Sequence, residues 1–270
     1  MNSPGAGNSR GGVVSRILTP EDAPYFAREV YRLLEARIPH DDLKPADDMV
    51  RWLATPDSNC SSYFIVAERG RHHPVGLLYL HKKLDVPYAF ISYLVVKRQE
   101  KPGSQSFDEV SSSLLQEVMR QMNCHDCALN RAEGFLIELA HPDTAASQGE
   151  RTERIARFRR FETLANTNGF QLQALDVPYL QPPLSVHAEP EGIPHLLVLG
   201  RRKEGSLSSK LSRQQAARIL EALYVQLYPS GYSDDPAENE AFRRICHAIL
   251  TKLVQNLPEE VNLVGYRSLH

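Results

Sequence analysis

The chain has 270 residues, of which 42 % are hydrophobic and 24 % charged, with a formal net charge of -2; these are the values of an ordinary globular protein. Lys+Arg 31 against Asp+Glu 33 leaves no basic excess of the kind that holds nucleic acid or an anionic membrane surface, and no apolar run approaches the ~20 residues of a membrane span. Four scattered cysteines exclude a disulfide framework.

Residues 1–12 are rich in Gly, Ser and Asn and lack the apolar core of a signal peptide. They read as a disordered lead-in, and a cytoplasmic location follows by default. Val13 to Leu18 has the composition of a strand. Thr19-Pro-Glu-Asp22 then starts a helix, with Thr19 as N-cap, Pro20 in the first turn, and Phe26, Val30, Leu33 and Leu34 at helical spacing. A second helix is expected over Pro45 to Ala54. Tyr63 to Glu68 and Pro74 to Leu80 flank Arg69-Gly-Arg-His-His73, the pattern of a hairpin. Ala89 to Val96 is almost wholly apolar, as in a central strand buried on both faces.

Lys97 to Gln105 is polar and contains Pro102-Gly103. Ser106-Phe-Asp-Glu109 has the form of a capping box, so a helix should begin near Phe107. A strand that feeds a turn at a helix N-terminus makes an anion site, because unpaired amides and the helix dipole converge there. Cys124-His-Asp-Cys127 can be half of a zinc site or a redox pair; no second ligand pair for zinc appears, and its plain reading is two incidental thiols in a loop. Gly134 to Ala140 is a strand with one acid, Glu138, at its middle. Arg151 to Asn166 is a helix with an apolar stripe at Ile155, Phe158, Phe161 and Leu164, ended by Asn168-Gly169. Phe170 to Val177 and Ile193 to Gly200 are strands on either side of a proline-rich connection. After a Ser-rich linker, Leu211 to Tyr228 and Pro236 to Leu257 are two amphipathic helices.

This order of elements, with Asn168-Gly-Phe170 closing a late helix, resembles the GCN5-related N-acetyltransferase (GNAT) superfamily over roughly Val13 to Arg202. The resemblance implies an α/β fold with a mixed, mostly antiparallel central sheet flanked by helices. It divides the chain into a tail at 1–12, an acyltransferase domain at 13–204 and a helical extension at 205–270. The family's pyrophosphate loop, an Arg or Gln followed by Gly-x-Gly-x-Gly or Ala, falls on Lys101-Pro-Gly-Ser-Gln-Ser106. One glycine, Gly103, is present and displaced by a residue, and Lys101 stands for the Arg or Gln. The resemblance places acetyl-CoA, or a related acyl-CoA, on the backbone of Leu94, Val95 and Val96 and on Lys101, Gly103, Ser104, Gln105 and Ser106. No metal is expected.

Direct acyl transfer to an amine requires a base for the amine and a proton for the leaving thiolate. Glu138 is the candidate base, because a carboxylate inside an apolar strand is desolvated and its pKa rises; an ion pair or a strand edge facing water are the structural alternatives. Glu68 and His141 are weaker candidates. The family's acid is a Tyr in the late helix. The corresponding segment, Arg157 to Phe170, has none, so Tyr179 in the following connection is the replacement candidate, against a role as a packed aromatic. Arg151, Arg154, Arg157, Arg159 and Arg160 form a basic face that could meet a phosphate or be balanced by neighbouring acids. The expected function is an N-acyltransferase acting on an amine of a small molecule or a protein, and the alternative is a non-catalytic module of the same fold. The C-terminal helices must bury their stripes against each other, the main domain or a second copy of the chain.

Overall fold

The computed structural model describes residues 12–38, 43–54, 60–83, 86–97, 105–124, 127, 129, 132–183, 192–203, 208–229 and 235–265. Contacts divide these residues into two compact units, one within 1–56, 63–79 and 93–118, the other within 57–62, 80–92 and 119–270.

In the first unit, β1 (Val13–Ile17) pairs antiparallel with β2 (Cys60–Arg69). The strand order continues through β3 (Pro74–Lys83) to β4 (Tyr88–Val96). The hairpin between β2 and β3 closes with the Arg69 amide donating to the His73 carbonyl at 3.0 Å. Its turn needs left-handed backbone at Gly70, φ 77°, which glycine adopts without strain. Helix α1 runs over residues 20–35 and widens to a π-turn at Phe26–Val30. Its Phe26, Val30 and Leu34 are fully buried, with Met49 of α2 (Ala46–Ala54) and Phe64 and Leu77 of the sheet, in one apolar cluster. Helix α3 (Gln105–Asn123) packs closely where Gly76 lies in β3. A Cβ at Gly76 would meet Val110 Cγ1 at 2.6 Å, so the missing side chain sets how near the helix approaches the strand.

In the second unit the order is β4, β5 (Gly134–Ala140), β8 (Ile193–Arg202), β6 (Phe170–Leu175), β10 (Glu260–Val264) and β9 (Lys210–Ser212). The two-residue β7 (Leu180–Gln181) sits on β8. The β4–β5 pair is parallel and the other registered pairs are antiparallel. The parallel pair is joined through α3, because two parallel strands need a crossover. Helix α4 (Gln148–Thr167) is capped by Ser147, whose hydroxyl accepts from the Glu150 amide, and it buries the stripe of Ile155, Phe158, Phe161 and Leu164. It starts three residues before the sequence-expected Arg151 because this cap lies upstream.

The C-terminal segment adds more than two helices. Helix α5 (residues 213–227) ends in a π-turn at Ala222–Leu227, and α6 (Pro236–Gln255) follows. The short strands β9 and β10 hydrogen-bond to one another, and β10 pairs with β6 through Leu263↔Leu175 and Val264↔Ala174. Leu220, Leu223, Phe242, Ile249 and Leu253 share one core with Leu136 of β5 and Leu197 and Leu199 of β8. The stripes are therefore buried within the chain itself. Among the described residues, no helix is long and apolar enough to cross a membrane.

Candidate functional site

In β5, side chains alternate between faces, so Leu136, Glu138 and Ala140 share one side. Leu136 belongs to the core that holds Tyr179, Tyr224, Phe242 and Leu250. Glu138 faces the same way, toward a group of tyrosines. The β4–β5 register runs from Tyr88↔Gly134 to Ile91↔Ile137, and Glu138 is the next residue along β5. On the other side, β8 pairs with β5 over its whole length, with Leu197 opposite Glu138.

Three donors converge on the Glu138 carboxylate. The Tyr179 hydroxyl donates to Oε1 at 2.5 Å, the Tyr228 hydroxyl donates to the same oxygen, and Gln181 Nε2 donates to Oε2 at 3.2 Å. The two phenolic oxygens are themselves 2.5 Å apart. Tyr179 is 1 % exposed and lies in the connection between β6 and β7. Its carbonyl accepts from the His195 amide at 3.1 Å, which ties the connection to β8. Gln181 is held by β7, and Tyr228 follows the π-turn of α5. Behind them Tyr224 donates to the Leu180 carbonyl, and its ring stands 5.9 Å from Tyr179 and 5.4 Å from Tyr228.

Burial pushes the Glu138 carboxyl up to about 7, against the opposing pull of the donors Tyr179, Tyr228 and Gln181. Burial, and then the Glu138 charge, hold the Tyr179 and Tyr228 phenols well above the usual range, so both stay protonated in neutral water. A carboxyl that titrates near neutrality beside two protonated phenols can take up a proton and pass one on.

The structure brings together the sequence-expected Glu138 and Tyr179 and adds Tyr228 and Gln181. Tyr179 is a packed core aromatic, and its hydroxyl donates to Glu138. A signal for Tyr228 was present: Tyr224 and Tyr228 recur four residues apart on the apolar stripe of α5, where a hydroxyl needs a partner.

The weaker candidates fall elsewhere. Glu68 accepts from Tyr25 Oη at 2.6 Å and from Arg16 Nε at 3.2 Å, and Arg16 also grips Asp22. Glu68 is thus the partner of a structural ion pair. His141 accepts the Asp143 amide on Nδ1 and lies in a loop. In α4, Arg151 pairs with Asp143, Arg154 with Glu150, and Arg157 with Glu153. Cys124 and Cys127 form a disulfide, which corrects the reading of incidental thiols: three residues apart in a turn, they meet. Among the described residues, no group of three or more His, Cys, Asp or Glu could hold a metal ion. An open polar groove of about 540 Å³, framed by Glu162, Asn166, Gln171, Gln173 and Lys203, does not include Glu138.

Of the expected cofactor-binding residues, Lys101, Gly103 and Ser104 lie outside the described residues, and Gln105 and Ser106 are described only as the backbone of the first turn of α3. The helix thus begins at Gln105, ahead of the expected Phe107. Val95 and Val96 are buried and Leu94 is half-buried. The Val96 carbonyl accepts from Arg37 Nε at 3.0 Å. Glu109 pairs with Arg69 Nη2 at 3.3 Å. The buried Ser111 hydroxyl, in the second turn of α3, has no hydrogen-bond partner among the described residues. Asp108 and Glu109 in the first two turns oppose an anion.

No family model matches the chain, and no curated protein sequence matches it. Among solved structures it is similar to a Bacteroides thetaiotaomicron protein assigned to the GNAT acetyltransferases, with a TM-score of 0.50 and 14 % identity, covering 79 % of this chain and 97 % of that one. The chain has the GNAT acetyltransferase fold. Lower-scoring likenesses include a Staphylococcus epidermidis acetyltransferase, with a TM-score of 0.42 and 13 % identity over 71 % of this chain and 99 % of that one. A variant of the spermidine N-acetyltransferase of Vibrio cholerae has a TM-score of 0.41 and 10 % identity over 73 % and 95 %. In this GNAT fold Glu138 stands on β5, next in line after the last registered pair with β4.

Proposed function

We propose that the protein is an N-acyltransferase that moves an acetyl or related acyl group from acyl-CoA to an amine of a small molecule or a protein. The observation that carries this reading is the pairing of Glu138 with Tyr179 on a GNAT fold. The thioester supplies an activated acyl group. Glu138, titrating near 7, accepts the proton of the attacking amine. Tyr179, protonated at working pH and donating to that carboxylate at 2.5 Å, is the group that would protonate the leaving CoA thiolate, and Glu138, carrying the amine's proton, would reprotonate it. Backbone amides of residues 101–106 and the start of α3 would hold the pyrophosphate. An acyl-CoA donor goes with a cytoplasmic location. The alternative, a non-catalytic module, draws support from Asp108 and Glu109 near the helix terminus and from the full set of donors on Glu138.

Thiol release from acetyl-CoA over a panel of primary amines, together with retention of CoA by the full chain, tests the reading. An active amine should be found, Glu138→Gln should lower turnover by roughly 10²–10⁴-fold with CoA retention unchanged, and Gly103→Val should weaken CoA. CoA retained without thiol release from any amine would favour the non-catalytic module, and no retention would overturn acyl-CoA use.

A further inference from the structure

We infer that Tyr228, carried in by the C-terminal segment, is a positioning residue for Glu138: with Tyr179 it closes a ring of three oxygens that holds one exchangeable proton. The inference rests on the acyl-transfer reading of Glu138 and extends it to a residue outside the elements that resemble the GNAT pattern.

The ring follows from counting protons. Glu138 Oε1, Tyr179 Oη and Tyr228 Oη are all within hydrogen-bond reach of one another. The two phenols have one proton each. When Glu138 is ionised, both donate to Oε1 and the contact between the phenols carries no proton. When Glu138 is protonated, its hydroxyl donates to one phenol, that phenol donates to the other, and the second donates back to Oε1. All three contacts are then closed. Gln181 Nε2 holds Oε2 in both states. Either state is well bonded, so the proton can be taken up or released with little movement of heavy atoms.

Placement supports a built feature. Tyr228 follows a π-turn, with its amide donating to the Leu223 carbonyl at 2.9 Å; such turns are rare and concentrate at functional sites. Its ring is fixed between Phe90, at 6.1 Å edge to face, and Tyr224. The titratable groups around Glu138 are Tyr179 and Tyr228 in contact, Tyr224 and Cys246 of α5 and α6 behind them, and His195 of β8, opposite Ala140. Arg154 acts on His195 from α4. Donation from Tyr228 favours the ionised carboxylate.

The test follows the Glu138 carboxyl directly, in full-length protein labelled with ¹³C at the glutamate side-chain carboxyls. The signal is identified by its loss in Glu138→Gln. In wild type its midpoint should lie near 7. Tyr228→Phe keeps the ring and removes one donor, and the midpoint should rise by roughly one pH unit. Replacing Tyr228 with 3-fluorotyrosine makes the phenol a stronger donor and should move the midpoint down. Tyr224→Phe removes a hydroxyl that serves Leu180 and touches Tyr179 but makes no hydrogen bond to Glu138, so it should move the midpoint much less than Tyr228→Phe does. Opposite shifts from the two Tyr228 replacements establish the coupling, which a purely structural role would not produce. An unmoved midpoint in both, or an equal shift in Tyr224→Phe, overturns it. Should Tyr228→Phe fail to fold, the fluorotyrosine chain alone decides, by moving the midpoint down or leaving it. The titration needs no turnover, so an inactive amine panel would defeat the acyl-transfer reading separately. If the panel finds an active amine, the acid limb of kcat/KM in Tyr228→Phe should move to higher pH with the carboxyl.

Discussion

Burial lifts the Glu138 carboxyl from its ordinary 4.5 to about 7, and a shift of that kind is also a statement about stability. The folded chain binds the Glu138 proton more tightly than the unfolded chain does. The resulting stabilisation is fully present below pH 4.5 and is lost as the pH rises through 7, because the folded state then keeps a desolvated charge. At about 1.4 kcal/mol per pH unit the loss is on the order of 3 kcal/mol. Glu138→Gln does not titrate, so its stability relative to wild type should climb by up to that amount between pH 4.5 and pH 8, as turnover falls. Urea melts of both proteins at the two pH values check this, and an unchanged difference between them would show that the carboxyl is not perturbed. Glu138 was legible in the sequence because a single acid in an apolar strand has a solvation problem that reads without coordinates. The spacing of Tyr224 and Tyr228 shows that a buried hydroxyl needs a partner but not which one, since Tyr228 lies 90 residues from Glu138 and only the packing of α5 on the sheet brings them together.

At the scale of elements, β5 and β8 meet through a glycine. Phe135 pairs with Gly200 in the register, and a Cβ at Gly200 would stand 2.4 Å from Phe135 Cζ. The Phe135 ring is fully buried and wedged against Phe170 at 4.8 Å edge to face, so it has little room to yield. Gly200→Ala should cost about 1–3 kcal/mol by overpacking, and much of that cost should vanish in a Phe135→Leu background. A double-mutant cycle by denaturant melts measures the coupling; additive costs would show that the ring is not the obstacle. The long strands and helices were legible because each buries a face with a clear period, and β4 reads as a central strand from an apolar run interrupted only by Ser92. The short β7, β9 and β10 were not. Lys210-Leu-Ser212 and Glu260-Val-Asn-Leu-Val264 are too brief for a period to show, and what makes them strands is partners from elsewhere in the chain, β6 for β10 and β10 for β9.

At the scale of the molecule, residues on both sides of position 204 share the second compact unit, and the C-terminal segment completes its sheet as well as its core. Ending the chain at Gly205 tests this. The cut removes Leu211, Leu220, Leu223, Phe242, Ile249 and Val261 from the cluster that covers Leu136, Leu197 and Leu199. It also strips β10 from β6 and leaves a sheet edge with unpaired backbone groups, a template for association with other chains. The truncated chain should therefore aggregate, or stay soluble only as a loosened form that binds hydrophobic dye. Supplying residues 206–270 as a separate chain during expression should restore soluble protein, because the lost surface is a matching one. Activity alone would not discriminate, since the same cut removes Tyr228 from Glu138. The decisive readings are solubility, melting temperature and dye binding. A soluble truncated chain with the melting temperature of the full chain would show that the core over Leu136, Leu197 and Leu199 is stable without its C-terminal cover, and would refute the completion of the fold by that segment.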